Sequence, residues 1–158
     1  MSRIQRRVCQ AGVYFVTSHT WQRRELFRQS GPAEIVVQQL VECRDRGYYK
    51  LHAFVLMPDH FHILLTPGAD TTLEKAIQMI KGGSAHRIRH ELAFRWPVWQ
   101  LGFHDRWLRD AEEYHTRMNY ILGNPVKTRL AVNPGDYAWS SASGKYSMDS
   151  CAFDGLQG

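Results

Sequence analysis

In the stretch Met57-Pro58-Asp59-His60-Phe61-His62-Ile63-Leu64-Leu65, residue type and spacing come closest to chemistry. A Pro-Asp turn signal runs directly into residues with strand character. Side chains alternate across a strand, so His60 and His62 share one face while Phe61, Ile63 and Leu65 share the other. Two imidazoles side by side on a rigid strand make half of a metal site. Two histidines on a solvated sheet face are the plain alternative. Farther along, Asp110 to Asn124 can be plotted as a helix at about 100° per residue. Tyr114, Met118, Ile121 and Leu122 fall in one stripe, the expected buried face, and Glu113, Thr116, Arg117, Tyr120 and Asn124 on the opposite side. Tyr120 then stands on the polar side with Asn124 one turn beyond it. Its phenol is free to act, and the Asn124 amide oxygen can complete a metal site. Otherwise Tyr120 is a surface tyrosine bonded to a neighbour, and Asn124 a helix C-cap before Pro125.

Together these groups suit phosphodiester cleavage. A nucleophile attacks phosphorus while a cation neutralises charge on the non-bridging oxygens. Tyrosine, with a pKa of about 10, is a weak nucleophile at neutral pH, so the phosphate must be activated by a metal. Two imidazoles and an amide oxygen leave positions open for phosphate oxygens and water, a mixed N/O set that suits Mg²⁺ or Mn²⁺.

The elements that must position these groups follow from the pattern. Val13 to Trp21 reads as a first strand, and Gly31 to about Arg46 as a helix. Tyr48–Met57 and His60–Thr66 form a hairpin across the Pro58-Asp59 turn. Thr71 or Thr72 caps a second helix to about Ala93, with a possible break at Gly82-Gly83. A short fourth strand lies near Phe103–Leu108, and a last helix runs from Asp110 to a stop before Pro125. The order β-α-β-β-α-β-α predicts an α+β fold, an antiparallel sheet with helices packed mainly on one face. The segment 1–12 reads as a basic arm, 13–141 as one domain and 142–158 as a partly ordered tail.

Composition narrows the setting. Cys9, Cys43 and Cys151 are odd in number and have no C-x-x-C pairing, which argues against a disulfide framework and for a reducing cytoplasm. No apolar run reaches membrane-spanning length. The formal charge of +5 and pI near 9.3 favour a polyanionic partner.

The chain resembles the single-tyrosine HUH transposases, and most closely the REP-associated tyrosine transposases of bacteria. The resemblance is carried by Gly12-Val13-Tyr14-Phe15-Val16-Thr17, by Val55 through His62, by Trp99 through Asp105, by Asn119 through Lys127, and by Trp139-Ser140-Ser141. It implies a ferredoxin-like antiparallel sheet with the HUH hairpin in its central strands. It implies that His60 and His62 bind the divalent cation with Asn124 as third ligand, and that Tyr120 attacks single-stranded DNA to leave a 5′-phosphotyrosine and a free 3′-hydroxyl. The substrate implied is a hairpin from repetitive extragenic palindromes with a short tetranucleotide at its foot. No small-molecule cofactor or membrane is expected; a monomer in the bacterial cytoplasm, at the nucleoid, is, with a dimer that exchanges tyrosine helices, as in insertion-sequence relatives, as the alternative. A rival reading keeps the fold as a non-catalytic module that binds single-stranded or hairpin nucleic acid. Phosphoesterases with two H-x-[ST] motifs are excluded, because the chain has none.

Hairpin DNA is held by its phosphates and its unpaired bases by stacking. Candidate phosphate contacts are Arg3, Arg6 and Arg7 of the arm and Lys81, Arg87 and Arg89 of the second helix, with a solvated charged surface as the alternative. Of Trp96, Trp99 and Trp107, at most one is expected to stack on a base. His104 and Asp105 are candidates to orient the metal ligands from behind.

Overall fold

The computed structural model describes residues 12–156, so the arm contacts assigned to Arg3, Arg6 and Arg7 lie outside the described residues. Strands β1 (Tyr14–His19), β2 (Tyr49–Met57), β3 (His60–Pro67) and β4 (His104–Trp107) alternate with helices α1 (Ser30–Asp45), α2 (Leu73–Leu92) and α3 (Ala111–Lys127). The four strands form one antiparallel sheet in the order β2-β3-β1-β4. That is the ferredoxin-like arrangement, in which α1 and α2 make the two crossovers and β1 and β3 end up central. The tight Pro58-Asp59 turn sets Met57 opposite His60 and so fixes the hairpin register.

Strand alternation divides the sheet into two faces. Val16, Phe54, Leu56, Phe61, Ile63 and Leu65 join the main core with residues of α1 and α2 such as Ile35, Val36, Ile77 and Ile80. Val13, Phe15, Val55 and Leu64 turn the other way and form a smaller cluster with Tyr114 and Ile121 of α3. Two helices therefore cover one face, and the tyrosine helix lies on the other, beside the histidines.

Several boundaries differ from the expected ones for physical reasons. β1 stops at His19 because the chain turns at Trp21–Arg23, where Thr20 Oγ1 donates to the Arg24 carbonyl at 2.7 Å. α2 runs unbroken through Gly82-Gly83. A Cβ on Gly83 would meet the Gln39 amide at 2.0 Å, so the glycine makes room for Gln39 to donate to the Met79 carbonyl at 3.0 Å. α3 does not stop before Pro125 but continues to Lys127, with Thr128 N bonded to the Asn124 carbonyl at 3.0 Å. Burial of Pro125 and Ile121 offsets the proline's missing N–H.

The C-terminal stretch, expected to be only partly ordered, is bound to the sheet over its described length. Trp139 and Ser141 bond the backbone of β2 at Leu56 and Phe54, and Asp149 exchanges backbone and side-chain bonds with Leu51 and pairs with Arg44 at 3.0 Å. Beyond it, Asp154 accepts from the Tyr114 hydroxyl at 2.8 Å and the Leu156 carbonyl bonds His115. Residues 149–156 thus strap the start of α3 to β2. Among the described residues no helix is long and apolar enough to cross a membrane.

Candidate active site

The site is built on β1 and β3. Their register sets Thr17 opposite His62 and His19 opposite His60. His62 is buried, with Nδ1 2.8 Å from Thr17 Oγ1 and the Phe15 ring stacked on it at 5.2 Å between centroids. His60 Nδ1 lies 2.6 Å from Asp59 Oδ1, and the other oxygen of Asp59 accepts from Arg23 Nε at 3.1 Å. Each imidazole thus spends Nδ1 on the protein, the pattern that orients metal-ligating histidines. The rings stand 4.7 Å apart. His62 Nε2 is a buried polar atom with no hydrogen-bond partner, a costly state unless a ligand takes its lone pair.

Electrostatics keep that lone pair available. Burial, helped by the neighbouring His60, His19 and Arg117, pushes His62 down to about 3. His19 is also lowered, by burial first and then by Arg23 and His60. Burial works upward on Asp59, but hydrogen bonds from His60 and Arg23 outweigh it and hold the carboxyl below its ordinary value. A charged Asp59 fixes the His60 ring by charge-assisted bonding.

α3 brings Tyr120 to the same place. Its ring lies edge-on to His62 at 5.1 Å and to Phe15 at 6.3 Å, while 41% of the residue remains exposed. Arg117 sits one turn before it, its guanidinium 4.8 Å from the Phe15 ring centre. Asn124 is only 5% exposed, which corrects its assignment to the side opposite the apolar stripe. The two stripes of α3 centre roughly 130° apart at helical spacing, but Asn124 lies only about 60° round from Ile121, so the helix packs with both inward. Its N-terminus is fixed by Asp110, which accepts from Glu113 N at 2.9 Å. The Glu113 carboxylate in turn accepts from Arg109 N, and that bond with those from Arg106 and Arg109 side chains pulls it down to about 2.

The donor set fits a divalent cation with open positions: two imidazoles, one held neutral by burial and with an orphaned Nε2, and a buried amide on the facing helix. Among the described residues no three His, Cys, Asp or Glu side chains converge on a metal site.

The remaining candidates are placed elsewhere. Lys81 Nζ donates to the carbonyls of Gln100 and Gly102, anchoring that loop, and burial brings it down to about 8. Arg87 is engaged by Glu91 at 2.8 Å and Gln38 at 2.9 Å. Both lie on α2, on the sheet face away from the histidines, as does the exposed Arg89. His104 reaches the pair only through His19, edge-on at 6.3 Å. Asp105 pairs across strands with Val16, whose side chain lies on the α1/α2 face, so it cannot back the ligands. Sequence reasoning assigned no site role to Thr17, Phe15 or Asp59. The signal was in β1, where alternation carries Phe15, Thr17 and His19 to one face.

With fold and site described, the comparisons give the family and support the fold. Residues 9–122 match the model of the IS200-like transposase family, and the chain belongs to that family. It is similar to the REP-associated tyrosine transposase of Escherichia coli (strain K12), at 23% identity over 94% of this chain and 90% of that one. A solved structure of a REP-associated tyrosine transposase bound to a REP hairpin superposes with a TM-score of 0.70, at 23% identity, over 96% of this chain and 92% of that one. A second, a candidate transposase from Deinococcus radiodurans R1, gives 0.53 at 17% identity over 67% and 85% of the two chains. At these identities the structures establish the fold.

Proposed function

We propose that this transposase nicks and rejoins single-stranded DNA folded into REP-type hairpins, with Tyr120 as nucleophile and Mg²⁺ or Mn²⁺ held by His60, His62 and Asn124. The cation supplies charge neutralisation at the scissile phosphate and so lowers the barrier to attack. Thr17 and Asp59 hold the two imidazoles in the tautomer that leaves Nε2 for binding. The Tyr120 oxygen forms a bond to phosphorus as the phenol loses its proton. The bond from phosphorus to the 3′ oxygen breaks, and that oxygen takes up a proton to become a free 3′-hydroxyl. The 5′ end stays on the tyrosine as a phosphodiester, so its bond energy is conserved for rejoining. The observation that carries this reading is the placement of Tyr120 against His62 of its own chain, 5.1 Å between rings. It favours a site completed within one molecule, with no tyrosine from a second copy.

The test mixes labelled single-stranded hairpin DNA with the protein and Mn²⁺ and resolves the products on a denaturing protein gel. Wild type is expected to give a covalent adduct whose formation prior chelation prevents and which Tyr120→Phe lacks entirely. Tight hairpin binding by both proteins without adduct would instead establish the non-catalytic module.

A further inference from the structure

Trp96 and Trp21 are joined in a way the catalytic reading does not use. Trp99, close by, behaves as a core tryptophan, 9% exposed with its indole N–H bonded to Ser84. Trp96 is 53% exposed. Its ring is nearly parallel to that of Trp21, at 13° and 6.4 Å between centroids, and the Arg24 guanidinium lies 5.0 Å from each ring. Arg24 is therefore equidistant from the two rings and in contact with both, and the rest of the Trp96 ring stays open to solvent. A cleft of about 240 Å³ opens beside it, floored by Leu26, Phe94 and Val98.

The pair is rigidly mounted. Trp21 N donates to the Val98 carbonyl at 3.0 Å, Thr20 bridges to Trp99, and Gln100 N donates to the His19 carbonyl at 3.0 Å. Gln22 and Arg23 are both left-handed (φ 57 and 54), and Ala93, which ends α2 ahead of Trp96, is as well (φ 52). Non-glycine residues hold that conformation only where their surroundings impose it. Here it sends Arg23 to Asp59, the carboxylate that orients His60, and Arg24 to the indoles. Arg95, next in sequence to Trp96, is exposed, so the surface is aromatic and cationic together.

We propose that Trp21, Trp96 and Arg24 form a stacking site for one unpaired nucleobase of the strand that enters the histidine pair. Stacking on an indole accepts any base, because each has a π-face, and a guanidinium at the rim can meet the adjoining phosphate. The connection through Arg23, Asp59 and His60 places this site next to the reacting phosphate rather than along the hairpin stem. The inference rests on the DNA reading above and adds a position to it.

The experiment measures anisotropy of labelled DNA with the full chain, comparing a hairpin with a flush stem and the same hairpin carrying a short oligothymidine extension, 5′ in one probe and 3′ in the other. Wild type is expected to prefer one extended probe by roughly fivefold or more. Trp96→Ala and Arg24→Gln are expected to erase that preference while binding the flush hairpin as before, and Trp96→Phe to keep most of it. A preference that survives Trp96→Ala and Arg24→Gln, or equal losses on all probes, would overturn the stacking site. So would a wild type that binds hairpins without regard to extension, and that outcome leaves the hairpin reading standing. A wild type that binds no hairpin removes both. Thermal melting checks that the variants fold, and Arg24→Gln, on an exposed side chain, decides the matter if Trp96→Ala does not.

Discussion

On the α1/α2 face of the sheet, Phe54, Leu56, Ile63 and Leu65 are sealed under two helices and all are buried. On the α3 face the same strands present Thr17, His60 and His62 beside Val55 and Leu64, under one helix that covers only part of them. The strands are common to both; the cover differs. Two helices exclude water there, which suits stability, and the polar groups they enclose, such as the Ser84 hydroxyl and the Trp99 indole, are paired within the protein. A single helix leaves a boundary at which His62 is desolvated while the Tyr120 ring against it is still 41% exposed. In the proposed reaction, an imidazole that must be neutral to hold a cation and a tyrosine that DNA must reach would both depend on that boundary.

The contrast can be broken at each face in turn. On the closed face, Ile77→Ala should cost about 2–5 kcal/mol of unfolding free energy in urea titration, since the cavity cannot drain to solvent. Metal binding by the folded fraction should not change; a cost below about 0.5 kcal/mol would mean that this face is not packed as described. On the open face, Thr17→Val keeps the shape and removes the hydroxyl beside His62 Nδ1. Mn²⁺ affinity by calorimetry is expected to fall about 10- to 100-fold, equivalent to about 1.4–2.8 kcal/mol, with stability nearly unchanged. An affinity equal to wild type would remove Thr17 from the site.

The smallest effect sharpens the comparison through pH. His62 has a folded value of about 3 against an ordinary 6.5, so the unfolded chain takes up the proton first. Its contribution is intact above pH 6.5 and is lost as pH falls from there towards 3, by at most about 1.4 kcal/mol per pH unit. His19 and His52 shift in the same direction, so the contribution of His62 is isolated by difference. The stability gap between wild type and His62→Gln should narrow on going from pH 7 to pH 5. A gap that stays constant would show that His62 is not desolvated.

What the sequence revealed depended on whether the determining contact was local. The β2–β3 hairpin was legible because its turn and its alternation lie within one short run, and Tyr120 because helical spacing alone sets it apart from the apolar stripe. Asn124 was placed on the wrong side because a wheel separates stripes by angle and does not show where a sheet will touch the helix. Gly83 looked like a break because its reason, the Gln39 amide, comes from another helix. Lys81 and Arg87 looked like phosphate ligands because a row of cations carries no sign of the carbonyls and side chains that engage them. The likeness of three tryptophans in one basic segment hid a division that only packing reveals: Trp99 in the core, Trp96 outside.

The C-terminal strap bears on how the protein behaves toward copies of itself. Leu51, Phe54 and Leu56 of β2 give backbone groups to residues 139–149, groups that would otherwise face outward as the unpaired rim of a sheet. Such a rim is adhesive, since any extended segment of another molecule can continue the ladder. Residues 139–156 therefore cover that rim against β-pairing as well as clasping the helix that carries Tyr120. Shortening the chain before Asp149 would expose a nucleus for aggregation at the same stroke that loosens the helix bearing the nucleophile.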